Sequence, residues 1–167
     1  MTCQHGNKRS SFPSCAKIRP DMPNLAVGID MVEIDRVRHV LQRFPQRFLE
    51  RVYTPVEVAV CHGRVHELAA RFSAKEATMK ALGTGARGLA WREIEVLPNR
   101  RGKPLLYLYG RARERAEEIG LHDLDVSLSH TGQHALAIVV GVQEAGIDEP
   151  GVARDRLLRW LRERGRL

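Results

Sequence analysis

The sequence predicts an α+β domain in which a small, mostly antiparallel sheet packs with helices. Three observations predict it. Short apolar runs of strand length alternate with stretches of helical period. Two polar turns, Asn99 to Gly102 and His130 to Gln133, each separate two such runs closely enough for a hairpin. The chain has 167 residues, 43% hydrophobic and 28% charged, which is enough to bury one real core.

The elements follow in order. Leu25 to Ile29 is an apolar run that stops at Asp30, and Asp30-x-x-Glu33 opens an amphipathic segment with Ile34, Val37, Leu41 and Phe44 at helical spacing. Asp30 is therefore expected at a strand-to-helix corner. Thr54-Pro55-Val56-Glu57 is a capping box with proline at the first helical position. Val65, Leu68, Phe72, Met79 and Leu82 mark one face of a long helix that ends at Gly83-Thr84-Gly85. Ile94 and Val96 alternate with charges, and Leu105 to Tyr109 returns as the second strand of a hairpin. Ala112 to Ile119 reads as helix, and Val126 to Ser129 and Ala135 to Val140 read as strands.

Outside residues 25–142 the composition changes. Residues 1–24 mix prolines, serines and scattered charges without apolar period and read as a flexible extension. Residues 143–167 read as a linker, Gly146 to Gly151, followed by a short Arg-rich amphipathic helix around Leu157, Leu158, Trp160 and Leu161.

Lys and Arg number 27 against 20 Asp and Glu, but the excess is spread along the chain and aromatics are only 5%, so no nucleic-acid stripe is expected. Neither a membrane span nor a signal peptide is predicted, and membrane binding is not expected. Cys3, Cys15 and Cys61 are odd in number and lack metal-ligand spacing, which fits a reducing cytoplasm.

The chemistry concentrates on the long helix. Phe72, Glu76 and Lys80 fall at i, i+4 and i+8, so a carboxylate and an amine share one stripe. Two readings of Glu76 stand: an exposed ion pair with Lys80, or a desolvated carboxylate that needs a cation. Asp30 is read either as a helix cap or as a second ligand. Two carboxylates from separate elements, with a lysine and a glycine-flanked threonine beside them, suit Mg²⁺ and a phosphate chain. Gly83 and Gly85 serve equally as a helix terminator, and His130 as a plain turn residue.

Gly28-Ile29-Asp30-Met31-Val32-Glu33-Ile34-Asp35-Arg36, Arg71-Phe72-Ser73-Ala74-Lys75-Glu76-Ala77 with Lys80-Ala81-Leu82-Gly83-Thr84-Gly85, Asn99 to Pro104, and Val126-Ser127-Leu128-Ser129-His130-Thr131 together resemble the holo-acyl-carrier-protein synthases. The resemblance covers residues 25–142 and implies the 4'-phosphopantetheinyl transferase fold. The implied reaction transfers 4'-phosphopantetheine from coenzyme A to a serine of apo acyl carrier protein in fatty acid biosynthesis, leaving adenosine 3',5'-bisphosphate. By motif, Asp30 and Glu76 resemble the Mg²⁺ ligands and Lys80 the lysine on the diphosphate. The proton acceptor is left between Glu76 and a metal-bound water. Arg71, His130 and Thr131 match positions near the nucleotide's 3'-phosphate, and Gly83, Thr84 and Gly85 form a loop against the same ligand. Arg36, Arg43 and Arg47 are expected on one side of the first helix, where the family docks its acidic carrier. The resemblance further implies a homotrimer with sites at subunit junctions. A polyketide or peptide-synthase carrier, and a binding module that has lost turnover, are the alternatives.

Overall fold

The structure, a computed structural model, describes residues 24–85, 87–144 and 150–166. The expected extension at residues 1–24, but for Asn24, and most of the expected linker lie outside the described residues. The chain divides into two compact units, Pro23–Ile147 and a second to which Asp148–Leu167 belongs. In the latter, an exposed helix runs Pro150–Glu163 and overlaps the last two residues of the expected linker.

The main unit carries two antiparallel sheets, a three-stranded one and a hairpin. Strand β1 (Asn24–Glu33) lies beside β5 (His134–Gln143), which pairs on its other edge with β4 (Leu121–His130). The hairpin joins β2 (Ile94–Pro98) to β3 (Pro104–Leu108). Its turn is set by Asn99, whose side-chain oxygen accepts from the amides of Arg101 and Lys103 at 2.9 and 3.0 Å.

Every strand except β2 and β3 runs longer than its apolar run predicts, because cross-strand pairing continues past the apolar residues. The β1 ladder is unbroken from Asn24 opposite Gln143 to Glu33 opposite His134. Asp30 is consequently inside a strand, opposite Ala137, and not at a helix corner; its cap reading falls. Helix α1 starts only at Ile34 and ends at Arg43, and Glu33 caps it without a side-chain bond.

The first helix also stops sooner than its periodicity suggests. Phe44 takes an irregular conformation before Pro45, which opens a separate helix α2 (Pro45–Val52). Helix α3 (Pro55–Cys61) has both bonds of the expected capping box, Thr54 N–H to the Glu57 carboxylate at 2.9 Å and Glu57 N–H to the Thr54 hydroxyl at 3.2 Å. Helix α5 (Gly110–Glu118) follows the hairpin and precedes β4.

Helix α4 (Val65–Ala81) is the centre of the unit. The spacing predicts one apolar face, but the helix is buried nearly all round, with Leu68, Ala69, Ala74, Ala77 and Met79 each at most 2% exposed. Small residues make that enclosure possible. Ala74, Ala77 and Ala81 pack with Val96, Val126, Ala137 and Val139. Gly28 lets β1 approach: a Cβ there would stand 1.8 Å from the Ala77 carbonyl oxygen. Ser73 adds a tie, its hydroxyl donating to the Ala135 carbonyl at 3.2 Å. Beyond the first turn, the stripe left open is Phe72, Glu76 and Lys80.

Candidate active site

Period-two alternation puts Gly28 and Asp30 on the same face of β1, so the glycine that brings the strand against α4 also delivers the carboxylate to it. Lys80 reaches across from α4 and donates to Asp30 Oδ1 at 2.9 Å and to the Ile29 carbonyl at 2.7 Å. Among the described residues Lys80 is ion-paired with Asp30, not with Glu76, so the helix-pair reading of Glu76 is replaced. Asp30 and Glu76 line one open cleft of about 320 Å³ with Arg36, Val37, Val40, Phe48 and Phe72. Phe72 forms part of its apolar wall and stacks on Trp91 at 4.7 Å between ring centroids.

Burial pushes the Glu76 carboxyl above its ordinary range, the neighbouring Asp30 charge pushes it further, and Lys80 pulls the other way. The cleft thus holds two anions whose repulsion a single lysine does not cancel. A divalent cation would relieve it, and the residues present fit one. Among the described residues no group of three or more His, Cys, Asp or Glu gathers at a point. Two carboxylates, with substrate and water supplying the other oxygens, match the habit of Mg²⁺.

The remaining expected residues are not in this cleft. His130 ends β4 and stands 4.8 Å from His66 between ring centroids, in a second cleft of about 500 Å³ with Arg38, Val65, Thr131 and Gly132. The Thr131 hydroxyl accepts from the amides of Gln133 and His134 and so shapes the turn. Gly83 has φ +70° and Gly85 φ +56°, while Thr84 N–H bonds the Met79 carbonyl at 3.2 Å: the loop is the helix terminator. Thr84 borders a third hollow with Arg87, Arg111 and Arg115.

Arg71 faces inward. Its Nε donates to the Val96 carbonyl at 3.1 Å and its Nη1 to the Glu67 carbonyl at 3.3 Å, with the side chain 8% exposed. A phosphate contact would therefore fall to its Nη2 edge. Arg36 and Arg43 are exposed on α1, but Arg47 is on α2, because the break at Phe44 ends the helical phase that would align it. Arg43 rests over the Phe44 ring at 5.2 Å.

Sequence reasoning missed His66 and Arg38, which sit in no motif, and it missed a buried ion pair next to the site. Lys75 and Glu57 are both fully buried and meet at 2.8 Å. Glu57 was legible as a capping residue, which hid its second role. Cys61 is a free buried thiol, pushed up to about 11 mainly by desolvation, and no helix among the described residues is long and apolar enough to cross a membrane.

Two hard carboxylates on one cleft, with an ammonium bonded to one of them, have the chemistry that a phosphate-group transferase using a divalent cation needs. Comparison with known proteins narrows the class. Residues 26–139 match the family model of the 4'-phosphopantetheinyl transferase superfamily. Holo-[acyl-carrier-protein] synthase of Herpetosiphon aurantiacus is 48% identical over 125 residues, covering 71% of this chain and 98% of the relative. The same-named protein of Moorella thermoacetica is 45% identical over 130 residues, covering 76% and 99%. Among solved structures, Helicobacter pylori holo-[acyl-carrier-protein] synthase in complex with coenzyme A is similar with a TM-score of 0.63 at 33% identity, covering 69% of this chain and 98% of that one. The chain belongs to the 4'-phosphopantetheinyl transferase superfamily, among the holo-[acyl-carrier-protein] synthases.

Proposed function

We propose that this chain transfers the 4'-phosphopantetheine of coenzyme A to a serine hydroxyl of apo acyl carrier protein, releasing adenosine 3',5'-bisphosphate, for fatty acid synthesis in the cytoplasm. The observation that carries it is the single cleft holding Asp30 and Glu76, with Lys80 clamped to Asp30. Asp30 and Glu76 would hold Mg²⁺, which when bound screens the diphosphate oxygens and stabilises charge on the leaving phosphate. Lys80 places an ammonium beside them for a diphosphate oxygen. Burial and the neighbouring Asp30 charge raise the proton affinity of Glu76, and we assign it to receive the serine proton.

The carrier is acidic in this reading, and the exposed Arg36 at the cleft rim, with Arg43 further along α1, gives it a complementary approach. A homotrimer is part of the proposal. On the outer face of the main sheet β1 and β5 are apolar: Leu25, Val27, Ile29 and Met31 are 54 to 62% exposed and pair with Val142, Val140, Ile138 and Leu136. A continuous apolar face of this kind is what a second copy would cover. Subunit junctions would also let the His130–Thr131 cleft of one chain serve the Asp30–Glu76 cleft of another, since in one chain the two are separate.

The test is the intact mass of apo acyl carrier protein after incubation with this protein, coenzyme A and Mg²⁺. A gain of roughly 340 Da, absent with EDTA, is the expected result for cation-assisted transfer of the phosphopantetheine arm. No gain with fatty-acid, polyketide or peptide-synthase carriers refutes the reading.

A further inference from the structure

Lys75 stands directly before Glu76 on α4 and points 100° away from it around the helix, into the protein. Its ammonium has three protons and finds three acceptors: Glu57 Oε2 on α3 at 2.8 Å, the Trp91 carbonyl at 3.1 Å and the Ile94 carbonyl at the start of β2. Glu57 is equally engaged. Its Oε2 also accepts from Thr54 N–H, and its Oε1 accepts from Val96 N–H at 3.0 Å. One turn earlier on the same stripe, Arg71 donates to the Val96 carbonyl. Helix α4 is therefore gripped along one edge by two cations fixed to the backbone of β2 and its approach.

We infer that the buried Lys75–Glu57 pair is the positioning device of the site: it sets the rotation of α4 about its axis and so the reach of Glu76 and Lys80 into the cleft. The inference rests on the functional reading above. The geometry explains why rotation matters. A carboxylate about 6 Å from the helix axis moves about 1.5 Å when the helix turns by about 15°. Productive sites tolerate only about 0.5 Å of displacement. Apart from the Ser73 bond to Ala135 and the Lys80 bonds to β1, α4 meets the sheet largely through alanines, whose similar smooth surfaces resist such a turn less than larger side chains would. Packing alone would also be served by an apolar pair of the same volume, which is often as stable as a buried ion pair. What an apolar pair lacks is a directional bond to the Ile94 and Trp91 carbonyls. Lys75 and Glu57 are positioning residues, since neither lines the cleft.

The test compares wild type, Glu57→Gln and the double variant Glu57→Gln/Lys75→Met in the full chain, reading the thermal midpoint, kcat, both KM values and the affinity for Mn²⁺ from the loss of its free-ion electron paramagnetic resonance signal. The double variant keeps an acceptor for Val96 N–H and removes the bond to Lys75. Expected is a folded protein with KM values within about threefold of wild type, kcat down by at least about thirtyfold, and Mn²⁺ binding weakened about tenfold, with Glu57→Gln between the two. A folded double variant with wild-type kcat and Mn²⁺ affinity overturns the inference. If the double variant does not fold, Glu57→Gln decides: wild-type kcat and Mn²⁺ affinity there overturn it. An inactive wild type counts against the proposed reaction instead, and Mn²⁺ affinity across the variants then judges the positioning role by itself.

Discussion

Gly28→Ala tests the central geometric argument, that a strand pressed against a helix carries Asp30 to Lys80. The new methyl would lie 1.8 Å from the Ala77 carbonyl oxygen, 2.8 Å from its carbon and 3.0 Å from the Ala81 nitrogen. All three are backbone atoms inside a helix, so none can swing away as a side-chain tip would. Contacts under 3.0 Å are not tolerated, so β1 and α4 must separate by about 1.2 Å at this point. Asp30 is two residues on and moves with the strand, which takes the 2.9 Å Lys80–Asp30 bond to about 4 Å and out of hydrogen-bonding range. Overpacking of this kind costs about 1–3 kcal/mol. A misplacement of about 1 Å at a reacting centre costs on the order of a hundredfold in rate. Urea denaturation and steady-state phosphopantetheinyl transfer measure the two effects. A Gly28→Ala protein with unchanged urea midpoint and wild-type kcat would refute the close-approach argument.

Glu76→Gln is expected to lower transfer at least about a hundredfold in the mass assay while leaving the fold intact, since the carboxylate holds no ion pair among the described residues. The sign of its pH effect is also fixed: a carboxyl raised in the folded state contributes stability that is present below its unfolded pKa and is lost as pH rises through the folded one. Without metal, Glu76→Gln should therefore raise the melting temperature near about pH 7 and leave it unchanged near about pH 4, and scanning calorimetry at the two pH values checks it. Ile29→Lys or Met31→Lys places a charge on the exposed apolar face and is expected to give a monomer by light scattering, with activity lost alongside assembly; a trimer of wild-type mass would remove this face from the interface. Arg36→Glu should raise the KM for the carrier well above any change in the KM for coenzyme A, by about tenfold at low salt and less at high salt.

Part of this site is written in local spacing. The i, i+4, i+8 placement of Phe72, Glu76 and Lys80 follows from the 3.6-residue period and needs no tertiary knowledge, and the structure leaves that stripe open. The Thr54–Glu57 capping box is equally local and is present bond for bond. Asp30 was misplaced because the end of an apolar run does not mark where a strand's pairing ends: the β1 ladder continues past Asp30 to Glu33. Arg47 was misplaced because one irregular residue, Phe44, resets the helical phase before Pro45. Arg71 and Lys75 carry charges that a sequence reading sends to solvent or to a ligand; here backbone carbonyls 16 to 25 residues away accept them instead.

The sequence by itself determined which groups share a helix stripe, Glu76 and Lys80 among them, and where helices start at a cap or stop at a glycine. These depend on contacts within a few residues, whose geometry the backbone period sets. Only the tertiary structure decided which carboxylate Lys80 holds, since Asp30 lies 50 residues away and is brought there by the Gly28 approach. It also decided that His130 and Thr131 open a different cleft, and that Lys75 is locked inside beside Glu57. Such pairings depend on sheet register and on how closely a strand can approach a helix, and both are properties of the packed chain.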